Sequence, residues 1–351
     1  MAASIREVAR EANVSLSTVS KVLNAKPNAK FALATRERVV AAAKRVGYHP
    51  NAIARGLSRK RMETIGVIMA YDQASVTTDP YLGACLDGIL HISKKRHQKT
   101  VIFTEDSWEE TMPSLPSYCD GHCDGLLLII PRTHSEIVPA LAARGDVPFV
   151  LVGDSPESDL LTAVDVDNAG AAVAAVAYLI SLGHRNIVAL CGNSELRSNT
   201  QRLEGYRRGL EAAGLSYRLD YVFSGQYWQQ DGFDNTVHLL TQFPDSGERP
   251  TALFCFNDAI ARGACDALAE AGISVPNEMS VIGFDDSINA VSRAPMITTM
   301  RQDIRSVGEC ATGLLLDILS GISELGIKRL VPADLIVRET TAPPRYGKDT
   351  E

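Results

Sequence analysis

Two groups of polar side chains in this sequence have types and spacing suited to molecular recognition. The first group lies near the N-terminus, on one short segment that ends in a basic residue. Hydroxyl and ammonium groups of this kind hydrogen-bond the phosphates and base edges of DNA. Its members are Ser17, Thr18, Ser20 and Lys21.

The second group follows apolar runs in the longer C-terminal part of the chain. Asn257 comes directly after residues 251–256, and Asp285 follows residues 280–284. Because ligands of parallel α/β sheets bind at the carboxyl ends of strands, both residues are candidates for a small-molecule site. The alternative is that each only caps the segment that follows it.

Catalytic and cofactor motifs are not evident. The sequence has no GxGxxG, Walker A, HExxH or GxSxG pattern. The adjacent carboxylates at 165–167 and 285–286 lack a partner base, so binding or capping is the expected role. Cys119, His122 and Cys123 form a cluster of three, whereas structural zinc needs four ligands. We therefore predict no enzymatic activity, no cofactor and no metal.

The N-terminal polar segment must be positioned by short helices. Ser4 and Glu7 have capping-box spacing, and Asn13 suits the left-handed turn that ends a first helix. Ser15 can cap a second helix with Leu16, Val19 and Val22 or Leu23 on its apolar side. A third helix is predicted over about 35–46, ended by Gly47, with Thr35 as a possible substitute cap. Two short helices joined by about three residues make a helix-turn-helix.

Charge is distributed unevenly along the 351 residues. Residues 1–61 hold 13 Lys and Arg against 3 Asp and Glu, a balance of +10. The net charge of the whole chain is −7, so residues 62–351 carry −17. This asymmetry favours a polyanion-binding head on an acidic body over a merely solvated basic face.

The overall composition indicates a soluble globular protein. Hydrophobic residues make up 45% and charged residues 22%, which excludes global disorder. No apolar stretch approaches the ~18 residues of a membrane span, and the N-terminus lacks the apolar region of a signal peptide. The seven cysteines are an odd number without a secretory context, so we expect a reducing cytoplasm.

The body alternates apolar strands with amphipathic helices. The strand candidates are 65–70, 100–103, 125–130, 149–152, 187–191, 251–256 and 280–284. The helical stretches between them include 81–97, 169–182, 201–213 and 259–271. This alternation predicts parallel α/β sheets covered on both faces. The span is too long for one typical sheet, so we expect two similar lobes.

Matched segments then indicate a family. SIREVAREANVSLSTVSKVLN and TRERVVAAAKRVGYHPNAIARGL in the head, and RLEGYRRGLEAAGL and SVPNEMSVIGFDD in the body, resemble LacI/GalR-family transcription regulators. The resemblance extends to about residue 341. It implies an N-terminal all-α helix-turn-helix DNA-binding domain plus an α/β periplasmic-binding-protein-like two-lobed body. It also implies a DNA-binding regulator, expected to be a repressor, that a small-molecule effector controls.

The resemblance assigns DNA contacts residue by residue. It places Leu16, Ser17 and Lys21 at base-reading positions, although Lys21 stands where Arg is commoner and lacks the bidentate fork. It places further residues, Ser4 among them, at other DNA contacts, mainly with the DNA backbone. It also implies a hinge helix in the minor groove, whose Leu57 wedges between base steps. These other residues are Ser15, Thr18, Ser20, Asn24, Asn51, Ala54 and Arg55.

The resemblance also implies an effector pocket between the lobes. Arg, Asn and Asp side chains can together donate to and accept from vicinal hydroxyls, as a sugar would require. Arg132 lies near enough in sequence to face the cleft, which would favour an acidic effector. Each pocket residue has a structural alternative, such as a surface ion pair for Arg202. The pocket residues implied are Tyr81, Arg202, Tyr227, Asn257, Asp285 and Gln302.

Domain limits and partners complete the expectation. We predict a headpiece at 1–49, a hinge helix and linker at 50–61, an effector-binding and dimerisation domain at 62–341 and a disordered tail at 342–351. The N-lobe would comprise about 62–162 and 293–322, and the C-lobe about 163–292 and 323–341. The expected partners are a palindromic double-stranded operator, a metabolite and a second copy of the chain, with no membrane. The expected location is the bacterial cytoplasm, on the nucleoid when DNA is bound.

Two other interpretations stay open from the sequence. The head could be a relic on a cytoplasmic small-molecule binding protein. A sugar-modifying enzyme on the same α/β body is the third possibility, although it lacks a catalytic constellation.

Overall fold

The computed structural model describes residues 3–23, 32–49, 56, 61–70, 79–244 and 250–344. The chain divides into two compact units, residues 1–64 with 121–124 and the remainder. The described helices of the first unit are α1 (Ile5–Ala12), α2 (Leu16–Leu23) and α3 (Leu33–Arg45). Their buried apolar side chains form one small core: Val8, Ala9, Ala12, Val19, Val22, Val39, Ala42 and Ala43.

Local sequence signals set the ends of these helices. The Ser4–Glu7 capping box is present, and Asn13 adopts the left-handed conformation with φ 49°. Gly47 also has positive φ, 67°, directly after the end of α3. The start of α3 differs from the prediction, because Ala32 is its N-cap and makes no side-chain bond. Thr35 therefore lies in the first turn of α3 and does not cap it.

The second unit consists of two six-stranded sheets with helices between their strands. The strands of the first sheet are β1 (Thr64–Ala70), β2 (Lys99–Glu105), β3 (Gly125–Ile129), β4 (Phe149–Val152), β5 (Ala163–Val166) and β11 (Lys328–Val331). Those of the second are β6 (Ile187–Leu190), β7 (Val222–Phe223), β8 (Ala252–Cys255), β9 (Ser280–Asp285), β10 (Thr298–Gln302) and β12 (Ala333–Ile336).

The helices of this unit follow the strands in regular alternation. They are α4 (Pro80–Lys95), α5 (Thr111–Tyr118), α6 (Ile137–Arg144), α7 (Asn168–Ser181), α8 (Arg197–Ala212), α9 (Gln229–Gln242), α10 (Asp258–Glu270), α11 (Ile288–Val291) and α12 (Ile304–Leu319). The seven predicted strands all exist, and β1, β3, β4, β6 and β8 are almost entirely buried.

Both sheets have the same topology. The first runs β11-β5-β4-β3-β1-β2 and the second β12-β10-β9-β8-β6-β7. Neighbouring strands from β11 to β1 and from β10 to β7 pair in parallel, whereas β12 pairs antiparallel with β10. Each sheet with its helices forms one lobe, as the alternating pattern predicted.

The chain crosses between the lobes three times. After β5 it enters α7 of the second lobe, after β10 it enters α12 of the first, and between β11 and β12 it crosses again. These crossings differ from the predicted lobe limits. The predicted limits placed β5 and β11 in the C-lobe and β10 in the N-lobe. Because these three strands are short and carry polar residues, the apolar pattern did not identify them as strands.

Close helix contacts hold α12 to the first lobe after its crossing. A Cβ atom at Gly88 on α4 would collide with Arg305 O, and one at Gly308 on α12 would collide with Cys85 O. The two helix backbones therefore meet through glycines. This packing fixes where the chain goes after β10.

Two peripheral segments also differ from expectation. Strand β2 at the edge of the first sheet is largely exposed, not covered on both faces. Ala342, predicted to begin a disordered tail, accepts a hydrogen bond at 2.9 Å from His184 Nε2 and exchanges two more with Ser280.

Among the described residues, no helix is long and apolar enough to cross a membrane.

Candidate functional site

Helix α2 presents a polar and basic outer face in the N-terminal unit. Val19 and Val22 are buried in the core, whereas Ser17 and Lys21 are exposed. Leu16 is 44% exposed, so its predicted place on the apolar side was wrong. A large apolar side chain at the exposed start of this helix is available for contact with the methyl group of a thymine.

Hydroxyl groups at the start of α2 form a small network. Ser15 Oγ accepts the backbone N–H of Thr18 at 3.1 Å and so caps the helix, as predicted. The same oxygen lies 2.8 Å from both Ser17 Oγ and Thr18 Oγ1. Ser4 caps α1 by accepting the Glu7 N–H at 3.4 Å. These hydroxyls are therefore fixed in position, and each can still contribute to a phosphate contact.

Ser20 is half-buried on α2. Asn24, Asn51, Ala54, Arg55 and Leu57 lie outside the described residues. The hinge therefore stays a prediction.

In the two-lobed unit, Arg202 occupies the centre of a polar cluster. It is only 4% exposed, which excludes the surface ion-pair alternative. Its Nε donates to Asn168 Oδ1 at 2.9 Å and its Nη1 donates to Phe256 O. Its guanidinium carbon lies 3.7 Å from the centroid of the Phe284 ring. Helix α8 thus holds a buried cation that both hydrogen bonds and a ring orient.

Asp285 faces this cation from the end of β9. Its Oδ1 lies 3.9 Å from Arg202 Nη1 and accepts a hydrogen bond from Gln302 Nε2. Burial raises the pKa of Asp285 to about 6, although Arg202 and Gln302 both act to lower it. Gln302 is the last residue of β10, so this bond joins the cluster to a crossing between the lobes.

The backbone that carries Asp285 is strained. Asp285 has φ 114° and Asp286 has φ 60°, a region that non-glycine residues rarely adopt. Two contacts hold this turn: Arg338 Nη2 lies 2.5 Å from Asp286 Oδ1, and Asp258 Oδ2 accepts the Ser287 N–H at 2.7 Å. Strain that the surroundings maintain in this way is typical of functional positions.

Asn257 and Tyr227 are held together by the start of α10. Asn257 Oδ1 accepts the Ile260 N–H at 2.8 Å, so this residue caps α10, as the structural alternative proposed. Its Nδ2 donates to Tyr227 O at 3.0 Å. Tyr227 stacks over the backbone of Gly192, where a Cβ atom would collide with the ring. Asn257 therefore positions Tyr227, and one N–H and one oxygen lone pair of its amide remain for a ligand.

Tyr81 approaches the cluster from the first lobe. Asp79 caps α4 by accepting the Tyr81 N–H at 2.9 Å, and a Cβ atom at Gly153 would collide with Tyr81 Oη. Burial raises the pKa of Tyr81 well above its usual value, and Arg202 and Asp285 are close enough to influence that pKa. The predicted pocket residues thus converge on one region between the sheets.

Two residues of this region were not predicted as pocket residues. Asp165, in β5, accepts the Asn168 Nδ2–H at 3.4 Å, and Asn168 in turn accepts from Arg202. The available signal was the carboxylate group at 165–167, of which Asp167 caps α7 by accepting the Gly170 N–H at 2.9 Å. Because β5 was not recognised as a strand, Asp165 was not placed at a strand end.

The two lobes also contact each other through the segments that follow β3, β4 and β6. Thr133 N–H donates to Glu195 O at 2.9 Å, and Arg132 Nη1 lies 3.4 Å from Glu195 Oε2. Arg197 Nε donates to Asp154 Oδ1 at 2.7 Å. We refer to these contacts between residues 132–133, 154, 195 and 197 as the latch. Because Glu195 offsets the charge of Arg132, that arginine gives little support to an acidic effector.

Cys123 of the cysteine and histidine cluster at 119–123 is part of the packed interior. Cys123 is buried directly before β3. In the part of the chain that the structure describes, no group of three or more His, Cys, Asp or Glu side chains could hold a metal ion.

Family profiles match both units of the chain. Residues 4–51 match a profile described as "Bacterial regulatory proteins, lacI family", and residues 176–341 match one described as "Periplasmic binding protein-like domain". The first match covers the three helices of the head. The second covers most of the second lobe and the strained turn at 285–286.

Full-length relatives share both parts. Catabolite control protein A of Priestia megaterium is 32% identical over 317 residues, which are 90% of this chain and 92% of that protein. The structure of a lac repressor dimer bound to operator and the anti-inducer ONPF has a TM-score of 0.83 and 26% identity, covering 97% of this chain and 100% of that one. The transcriptional regulator CelR in complex with cellobiose has a TM-score of 0.74 and 28% identity, covering 96% and 99%.

Proposed function

The chain belongs to the lacI family of bacterial regulatory proteins, and we propose that its α2 face reads operator DNA while the Arg202–Asp285 cluster binds the effector. It is a DNA-binding transcriptional regulator, a repressor by family, that responds to a small molecule. The observation that carries the effector site is the convergence of Arg202, Asp285 and Gln302 at a crossing between the lobes.

The DNA contacts proposed for α2 follow from exposure and chemistry. Leu16, Ser17 and Lys21 form an exposed face, and the head segment carries a balance of +10. The charge supplies attraction to any DNA, whereas groups on this face can distinguish base edges in the major groove. Lys21 is a point donor, so it contributes less geometric specificity to a guanine than an arginine fork would. The hinge contacts remain proposals that rest on the family resemblance. They are Asn51, Ala54, Arg55 and Leu57.

The effector site can influence the DNA-binding head through the lobe crossings. Asp285 accepts a hydrogen bond from Gln302, and two residues beyond Gln302 the chain enters α12, which packs in the first lobe. A ligand that competes for Asp285 or Arg202 therefore acts on the connection between the lobes. Because the coupling is reciprocal, an effector that weakens operator binding must itself bind the operator complex less tightly.

We also propose a homodimer on a palindromic operator. Edge strand β2 exposes Val101 (38%) and Ile102 (44%), and α4 exposes Leu90 (45%). An apolar sheet edge left open invites association, and a second copy of this chain is the occupant that would cover it. The similar lac repressor structure is a dimer on operator. Two-fold symmetry of the protein then matches two operator half-sites. The protein would act in the cytoplasm, on the nucleoid.

Selection of bound fragments from the source genome tests this function. The full-length protein is mixed with sheared genomic DNA at defined salt, because affinity for DNA depends steeply on salt. We expect enrichment of one palindromic sequence. Lys21→Ala should lose the enrichment, whereas Lys44→Ala on α3, with the same change in charge, should keep it. If neither the protein alone nor the protein with cell extract enriches any sequence, the head is a relic and the proposal is wrong.

A further inference from the structure

Asp165 is a buried carboxylate with one oxygen unused by the protein. It is 3% exposed and lies near the carboxyl end of β5. Its Oδ1 accepts the Val166 N–H at 2.7 Å and the Asn168 Nδ2–H at 3.4 Å. Its Oδ2 is buried and has no hydrogen-bond partner among the described residues. A buried acceptor without a donor destabilises a fold, so such groups are rare and call for an explanation.

This unused oxygen belongs to the effector region. Asn168 links Asp165 to Arg202 through hydrogen bonds of 3.4 Å and 2.9 Å. Asp165 also lies close enough to Tyr81 to raise the pKa of its hydroxyl. The unused acceptor of Asp165 therefore indicates a missing donor at this place.

The charge around this place is negative. Arg197 is paired with Asp154, and Arg202 lies near both Asp285 and Asp165. Asp79 adds a further carboxylate near Asp285. When all of these groups are ionised, as at pH 8, the balance is four carboxylates against two guanidinium groups, which disfavours an anion. The carboxylates are Asp79, Asp154, Asp165 and Asp285.

We propose that Asp165 contacts the effector directly, and that the effector carries no negative charge and donates an O–H or N–H to Asp165 Oδ2. This inference rests on the proposed effector site and assigns it a class of ligand. Sugar phosphates, aldonates and other anions are excluded, whereas neutral polyhydroxy compounds and amines fit. A residue kept at a cost to stability is the usual sign that binding, not folding, requires it.

The first test needs no ligand. The full-length wild type, Asp165→Asn and the control Asp106→Asn, an exposed aspartate, are melted by calorimetry at pH 8 and pH 4.5. Burial raises the pKa of Asp165 to about 7, so the carboxylate is charged at the higher pH and protonated at the lower one. We expect Asp165→Asn to melt above wild type at pH 8, with a smaller difference at pH 4.5. A lower melting temperature than wild type at pH 8 would make Asp165 a structural acceptor and overturn the proposal.

The second test uses matched pairs of probes. Cellobiose, ribose and glucose are compared with cellobionate, ribose 5-phosphate and glucose 6-phosphate by calorimetric titration of the full chain. We expect binding from the neutral member of a pair, weakened about tenfold or more by Asp165→Asn and unchanged by Asp106→Asn. Tighter binding of an anionic member would overturn the proposal. Neither test uses DNA, so failure to find an operator would refute the regulator and leave this result unaffected.

Discussion

The latch offers a direct measurement of how firmly the two lobes are held together. Arg197 lies on α8 of the second lobe, and Asp154 follows β4 of the first. Only 7% of the Asp154 side chain and 28% of the Arg197 side chain are exposed. The substitution Arg197→Gln would leave the Asp154 carboxylate buried without its cation. We expect this change to open the lobes more often.

The size of the effect follows from the burial of the pair. Removing one partner of a fully buried pair costs about 3–5 kcal/mol. Arg197 keeps some contact with solvent, and burial already raises the pKa of Asp154, so protonation can relieve part of the cost. We therefore expect about 1.5–3 kcal/mol, which corresponds to about a 10- to 150-fold change in the opening equilibrium.

Amide hydrogen exchange at Thr133 reports this opening. The Thr133 N–H donates across the lobes to Glu195 O at 2.9 Å, so it exchanges when the latch separates. In the full chain without operator, the substitution Arg197→Gln should accelerate amide exchange at Thr133 by about 10- to 150-fold. The double variant Asp154→Asn/Arg197→Gln removes the buried charge and should recover most of the protection.

A matched control separates the latch from a general loss of charge. Arg301 pairs with Asp334 at 3.3 Å within the second sheet, and both side chains are mainly exposed. Arg301→Gln should leave exchange at Thr133 unchanged, because exposed pairs contribute about 0–1 kcal/mol. If Arg197→Gln exchanges at Thr133 as slowly as wild type, another contact holds the lobes and our reasoning is wrong.

Four further predictions concern DNA, effector and pH. Lys21→Ala should weaken operator binding by about 1–3 kcal/mol and lower its salt dependence by about one ion, measured by titration at several salt concentrations; an unchanged affinity would exclude the contact. Leu57→Ala should weaken operator binding while ligand affinity of the protein stays the same, and equal operator affinity would refute the wedge. Arg202→Ala or Asp285→Ala should abolish the effector response in a reporter strain with operator affinity largely retained; a normal response in both would place the pocket elsewhere. Burial raises the pKa of Asp258 from 3.8 to about 8, so the charged form destabilises the fold. In urea titrations, the wild type should therefore lose stability relative to Asp258→Asn as the pH rises from about 4 to 8. Parallel pH profiles of the two proteins would contradict this.

Local signals in the sequence were sufficient for most helix ends of the head, although not for the start of α3. The capping box at Ser4 and Glu7, the left-handed Asn13 and Gly47 act through backbone groups a few residues away. Because the interactions that end a short helix are local, the sequence alone indicates them. Leu16 shows the limit, because helical periodicity put it on the apolar side, whereas the side chain lies outside the three-helix core and is 44% exposed.

In the body, the sequence determined the buried parallel strands and the tertiary structure decided everything that crosses between the lobes. Strands such as β3 and β8 are buried on both faces and therefore appear as continuous apolar runs. Strands β5 and β10 carry Asp165 and Gln302 because they border the cleft, and polar residues there interrupt the apolar pattern. Gln302 donates to Asp285, 17 positions away in the chain, and Asn168, which donates to Asp165, accepts from Arg202, 34 positions away. Spacing along the chain does not indicate these contacts, because they form only once strands β9 and β10, and helices α7 and α8, have packed side by side.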